Sequence, residues 1–238
     1  MSDTEDEEVQ SRIVKITVVG EPSTGKTCLC TRYLGGNGII SSGNTQGAEV
    51  MAGQCLGLRP PVTVHLCDVG GSALATTMLK NYLYCSDVVL FVYDLTNLQS
   101  FEKLGLWLRR AIEIFESEDK KPIMAIFGNK SDLEHQRAVR LSCVQKFASE
   151  HLLENFKGSA RTGETVNNAF TKLVARVMGM KVRRCFASVN GFSPAIKNGE
   201  LNGPDPLPLQ SEPTHSLIMN RKALRRIHRA SSSVCCLQ

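Results

Sequence analysis

The sequence predicts an α/β domain built on a mainly parallel sheet, and three observations predict it. Short, apolar, β-branched runs recur along the first 130 residues, stretches of helical length separate them, and glycine-bearing polar clusters lie just past their ends. Continuous apolar runs suit strands buried on both faces of a sheet, and strands alternating with helices form right-handed βαβ units. The first strand is expected in "RIVKITVVG" (12–20), with others at 62–69 ("VTVHLCDV"), 87–95 ("DVVLFVYDL") and 122–129 ("PIMAIFGN"). Helices are expected over Lys26–Leu34, Leu74–Tyr84, Ser100–Glu116, Leu141–His151 and Val166–Met178. These elements make one domain over 12–180, flanked by an acidic leader (1–11) and a tail (181–238).

The 238 residues suffice for one core with extensions. Residues 1–180 hold 19 Lys and Arg against 20 Asp and Glu, whereas 181–238 hold 9 against 3, so the basic excess lies in the tail. A near-neutral domain argues against nucleic acid as a partner, because phosphate-backbone binding needs clustered cations. An anionic membrane surface is the expected partner of the tail. Nine scattered cysteines without paired CxxC spacing argue against a disulfide framework or zinc site and fit a reducing compartment. The polar start "MSDTEDEEVQ" is unlike a signal peptide, and no apolar run reaches the ~18 residues needed to span a bilayer. A cytosolic or peripheral protein is expected. The segment from about Val182 to Pro213, which contains "NGFSPAIKNGELNGPDPLPLQSEP", reads as a disordered linker.

Four clusters carry chemistry. "GEPSTGKT" (20–27) follows the first strand and opens the first helix, the context in which GxxxxGK[ST] becomes a phosphate loop. Gly20 and Gly25 let the backbone wrap closely, the N–H groups of Glu21 to Cys28 that are not lost to Pro22 surround the phosphates, and the helix dipole adds to the field. Lys26 pairs with the terminal phosphates, and Thr27 is a candidate Mg²⁺ ligand. A glycine turn capping a helix has the same local pattern. "CDVGG" (67–71) ends a strand at the sheet's carboxyl edge, where Asp68 can hold Mg²⁺ through water and the Gly71 N–H can reach a γ-phosphate; alone it is equally a turn. In "NKSD" (129–132), Asp132 offers two acceptors for the N1–H and amino group of guanine. Asn129 either braces the loop or touches the base, and the stem of Lys130 covers it. "GSAR" (158–161) puts the Ala160 N–H, flanked by Ser159 and Arg161, where it can meet the guanine carbonyl.

In this order the four motifs resemble the Ras-like small GTPases over residues 12–179, and within them the Rab family. The double glycine of "DVGG", the stretches "YDLTNLQSFE" (93–102) and "NKSDLEH" (129–135), and a terminal glutamine point to a divergent branch of it. The resemblance implies a three-layer P-loop GTPase domain with a mainly parallel six-stranded sheet. It also implies GTP/GDP and Mg²⁺ as cofactors, Thr45 as the switch residue that ligands Mg²⁺, and switches near 36–50 and 69–82. An exchange factor, a GTPase-activating protein and effectors are the implied partners, and membrane trafficking the implied setting. The catalytic set it implies is Lys26, Thr45, Gly71 and Ser72.

The chain also departs from the family. Ser72 replaces the glutamine that orients the attacking water, so hydrolysis is expected to be slow. Pro22 removes a backbone donor from the phosphate loop. Gly38 replaces an aromatic that lies against guanine, which predicts fast nucleotide release, slowed by Gly38→Phe unless Ile39 or Ile40 compensates. Gln46 and Cys67 alter the surface that effectors read. A catalytically impaired scaffold that binds nucleotide without cycling is therefore the alternative. The ending "CCLQ", after Arg221, Lys222, Arg225, Arg226 and Arg229, resembles a prenylation signal: a farnesyl on Cys235, or geranylgeranyl groups on Cys235 and Cys236.

Overall fold

The computed structural model describes residues 12–38 and 43–180. The leader, Ile39, Ile40 and the whole tail, with the basic run, Cys235 and Cys236, lie outside the described residues.

Strand β1 (Val14–Val19) runs parallel to β3 (Val62–Val69) on one side and β4 (Val88–Asp94) on the other. Beyond them β5 (Ile123–Asn129) and β6 (Glu154–Lys157) continue in parallel, and β2 (Ala48–Cys55) pairs antiparallel with β3. The order β2-β3-β1-β4-β5-β6 makes six strands, mainly parallel, as the family resemblance implies. The four strands expected from apolar runs form within one or two residues of their expected ends. Strands β2 and β6 have no such run: "AEVMAGQC" and "ENFK" become strands by pairing with β3 and β5.

The period-2 alternation of β1 and β4 sends side chains to two helical layers. Val14, Ile16, Val18, Leu90 and Val92 pack against α1 (Lys26–Tyr33) and α6 (Val166–Val177) through Leu29, Phe170 and Leu173. Val19, Val89, Phe91 and Tyr93 pack on the opposite face against α2 (Leu79–Leu83), α4 (Leu104–Phe115) and α5 (Leu141–Glu150), through Leu83, Trp107 and Val144. The result is the three-layer arrangement.

Two expected helices are interrupted. Instead of one helix over 74–84, a 3-10 turn (Gly71–Ala75) is followed by Thr76 in extended conformation before α2. The β-branched pair Thr76 and Thr77 has little helical preference, and the Thr76 hydroxyl donates back to the Ala73 carbonyl at 2.9 Å. The expected 100–116 helix begins earlier, as α3 (Leu98–Glu102), and continues as α4 after Lys103. The Asn97 side chain caps α3 by accepting from the Gln99 and Ser100 N–H groups at 3.0 and 3.4 Å. Among the described residues no helix is long and apolar enough to cross a membrane.

Candidate functional site

Every motif lies at the carboxyl end of a parallel strand, where the sheet opens into a crevice. A cleft of about 610 Å³ there is lined by Pro22, Ser23, Gly25 to Cys28, Gly43 to Thr45, Gly71, Ser72 and Lys130. A second, of about 170 Å³, is lined by Gly25, Cys28, Gly38, Asn129 to Leu133 and Ser159 to Arg161, except Ser131. Gly25, Cys28 and Lys130 border both.

The 20–25 loop turns sharply into α1. Gly25 sits at φ +87°, and a Cβ there would collide with the Asn129 amide, so glycine is needed for both reasons. No side chain caps α1, which leaves its first N–H groups pointing into the cleft. Lys26 is buried, its ammonium donating to the Gly20 and Glu21 carbonyls at 2.9 Å each. Burial lowers its pKa, while the Asp68 and Glu21 charges hold it up. The loop is tied down from outside as well: the Glu21 carboxylate accepts from Lys103 Nζ (2.8 Å) and from Trp107 Nε1 (3.1 Å).

Three oxygens meet beside it. Thr27 Oγ1 lies 2.5 Å from Asp68 Oδ2 and 3.0 Å from Thr45 Oγ1, and Thr45 Oγ1 lies 3.3 Å from the same carboxylate oxygen. Asp68 is fully buried and its other oxygen, Oδ1, has no hydrogen-bond partner among the described residues. Burial raises its pKa, and the Thr27 hydrogen bond, the Lys26 charge and the Thr45 hydrogen bond oppose the rise. A hard-oxygen cluster with an orphaned buried carboxylate oxygen suits a cation such as Mg²⁺. The segment carrying Thr45 is held down by a 2.8 Å bond from the Gly70 N–H to the Gly47 carbonyl.

Gly71 packs against Pro22 so closely that a Cβ at 71 would lie 2.5 Å from Pro22 Cδ and closer still to its nitrogen. Ser72 is exposed at the same rim.

At the smaller cavity, Asn129 braces the loops: its Nδ2 donates to the Thr24 carbonyl (2.8 Å) and its Oδ1 accepts from the Ala160 N–H (2.9 Å). The Ala160 donor thus already has a partner and would have to be shared with a base. Asp132 Oδ1 accepts from Ser159 Oγ at 2.5 Å, and its Oδ2 faces Arg161 Nη1 at 3.8 Å. Lys130 lays its stem along the cavity, its ammonium reaching Asp94 Oδ2 (2.6 Å) and the Ser23 carbonyl (2.9 Å). Asp94, Lys103, Trp107 and Arg32 are site-supporting residues that the motifs do not announce.

Gly38 corrects one expectation. Its backbone is left-handed, at φ +64°, and a Cβ there would collide with the Ala160 carbonyl and lie 2.9 Å from Arg32 Nε. An aromatic cannot simply be put back at this position, because a backbone carbonyl occupies its space.

Comparison with known proteins agrees with this geometry. The Ras-related protein Rab-28 of Caenorhabditis elegans is 32% identical over 180 residues, covering 75% of this chain and 73% of that relative. The Ras-related protein Rab-33A of Mus musculus is 30% identical over 182 residues, covering 74% and 75%. The Ras-related protein rab-39 of C. elegans is 30% identical over 166 residues, covering 68% and 72%. Residues 15–179 match the Ras family. A match over most of the chain, on a six-stranded sheet whose motifs line one edge, shows that the chain belongs to the Ras family of small GTPases, as a Rab-like member.

Proposed function

We propose that the protein is a membrane-anchored guanine-nucleotide switch in intracellular trafficking that hydrolyses GTP slowly. The observation that carries this reading is the convergence of Thr27, Thr45 and Asp68, because it brings the phosphate loop, the first switch and the end of β3 to one point. A single triphosphate held there would order both switch segments, and loss of its last phosphate would release them.

The N–H groups of 21 and 23–28 and the Lys26 ammonium bind the α-, β- and γ-phosphates. Lys26 exchanges the Gly20 and Glu21 carbonyls for phosphate oxygens and stabilises charge in the transition state. Thr27, Thr45 and, through water, Asp68 hold Mg²⁺, whose chemistry when bound is to neutralise charge on the phosphate oxygens. The Gly71 N–H binds the γ-phosphate. Asp132 reads the N1–H and amino group of guanine, Ala160 its carbonyl, and Lys130 covers the ring.

Ser72 is too short to position the attacking water as glutamine would, and Pro22 crowds the Gly71 backbone beside it. Slow turnover follows, unless an activating partner supplies an arginine or orients the water. The same Pro22–Gly71 contact favours a second reading, a nucleotide-binding scaffold that does not cycle.

The anchor rests on the sequence: prenylation at Cys235, or at Cys235 and Cys236, assisted by the five basic residues of 221–229. An exchange factor, an activating protein and effectors are the partners of such a switch. The nucleotide carried through purification tests the reading: denatured protein should release GDP or GTP in about equimolar amount. Protein that carries none, and does not take up either in the presence of Mg²⁺, would overturn it.

A further inference from the structure

The guanidinium of Arg32, in the last turn of α1, donates to three backbone carbonyls on two separate segments. Its Nε reaches Ala160 O at 2.8 Å, and its Nη2 reaches Asn37 O at 2.5 Å and Arg161 O. Ala160 and Arg161 form a wall of the smaller cavity, and Gly38, next to Asn37, forms another. Arg32 itself does not line that cavity. We propose that Arg32 is a positioning residue for the base site, clamping the 159–161 loop to the 37–38 backbone and so setting both the lifetime of bound nucleotide and the choice of group at position 6 of the purine. The proposal rests on the guanine-switch reading above.

Three features make the clamp specific to this chain's geometry. The left-handed Gly38 brings its own backbone against Ala160 O, so the two segments touch without a side chain between them. Arg32 Nε lies 2.9 Å from where a Cβ at 38 would be, so glycine at 38 and arginine at 32 occupy one space jointly. The planar guanidinium presents several donors at fixed angles, which lets one side chain bind carbonyls from both segments; an ammonium on a flexible stem cannot hold the same fan of contacts. With no aromatic at 38, cover for the ring comes from the stem of Lys130, and the contacts to the purine's edge carry a larger share of the hold. The edge contact at position 6 comes from the Ala160 N–H, whose own carbonyl Arg32 fixes. In the clamped loop that N–H also donates to Asn129 Oδ1 at 2.9 Å, so a base must share it, and a loop no longer fixed by Arg32 would hold the N–H less closely on the purine.

The test compares release of GDP and of 6-thioguanosine diphosphate, which keeps the N1–H and amino group but carries a poor acceptor at position 6. Full-length protein, Arg32→Ala and Arg32→Lys are each loaded with either nucleotide and chased in Mg²⁺. The clamp predicts slower release of GDP than of the thio analogue from the unaltered protein. Arg32→Ala should release GDP ~10-fold faster or more, the factor expected for losing at least one charge-assisted hydrogen bond. It should also narrow the GDP-to-thio ratio towards one, with Arg32→Lys in between. A merely structural role would speed release of both nucleotides alike and leave the ratio unchanged, which would overturn the proposal, as would an unchanged GDP release rate. If Arg32→Ala fails to fold, Arg32→Lys decides by the same ratio. Failure of the guanine-switch reading looks different: the unaltered protein would then retain neither nucleotide.

Discussion

Removing the Glu21 carboxylate tests how the phosphate loop is held in place. Trp107 is buried, and its indole N–H has Glu21 Oε1 as acceptor at 3.1 Å; Lys103 reaches Oε2 at 2.8 Å but is 43% exposed. In Glu21→Ala the indole donor is left buried and unpaired, which costs ~1–3 kcal/mol. Lys103 turns back to water, so its share adds at most ~1 kcal/mol. Glu21→Gln keeps an oxygen for the indole and loses only the charge, so it should cost about 1 kcal/mol or less. Trp107 is the only tryptophan in the chain, so its emission follows unfolding in denaturant without a label. GDP and Mg²⁺ must be saturating and equal in all samples, because bound ligand shifts the midpoint by mass action. Equal losses in Glu21→Gln and Glu21→Ala would show instead that charge, not the orphaned indole, dominates. No loss in either would mean that the carboxylate does not support the loop.

Asp132→Asn should exchange guanine for xanthine preference, since xanthine presents a carbonyl where guanine has its amino group; competition between GTP and xanthosine triphosphate for the loaded protein reads this directly. Gly38→Phe should fail to slow nucleotide release, because the left-handed backbone alone costs a side chain ~1–2 kcal/mol and the Ala160 carbonyl fills the site; slower release measured by a nucleotide chase would contradict this. Cys235→Ser should release the protein from membranes if Cys235 carries the only lipid, and leave partial retention if Cys236 is also modified. The mass of the terminal peptide separates one farnesyl with three residues removed from two geranylgeranyl groups.

The strands that hold the site were legible because β1, β3, β4 and β5 are buried on both faces and so read as apolar runs. Strand β2 was not, since Ala48, Glu49, Gly53 and Gln54 carry little strand preference and its extension comes from pairing with β3. The phosphate loop was legible because its glycines and Lys26 sit at fixed spacing within eight residues. Arg32 was not, because its acceptors are backbone carbonyls that any residue would supply, one of them 5 positions away along the chain and the other two 128 and 129. The same holds for Glu21: its position in the loop marks the backbone, and nothing nearby marks the distant Trp107. Gly38 was legible as a missing aromatic, but only its φ and the Ala160 carbonyl show that the space has another occupant.

Single-turnover hydrolysis decides whether Ser72 makes this chain a slow GTPase. Purified protein preloaded with GTP and Mg²⁺ is chased, and phosphate release is followed for the unaltered chain, Ser72→Gln, and Ser72→Gln with Pro22→Gly. Bound GTP should turn over slowly, with acceleration by roughly 10–100-fold once glutamine can orient the water, the range set by ångström-scale positioning. The acceleration should appear in the double variant if Pro22 blocks it in the single one. A rate that neither variant raises would contradict the assignment of slow hydrolysis to Ser72, and so would a rapid rate in the unaltered chain.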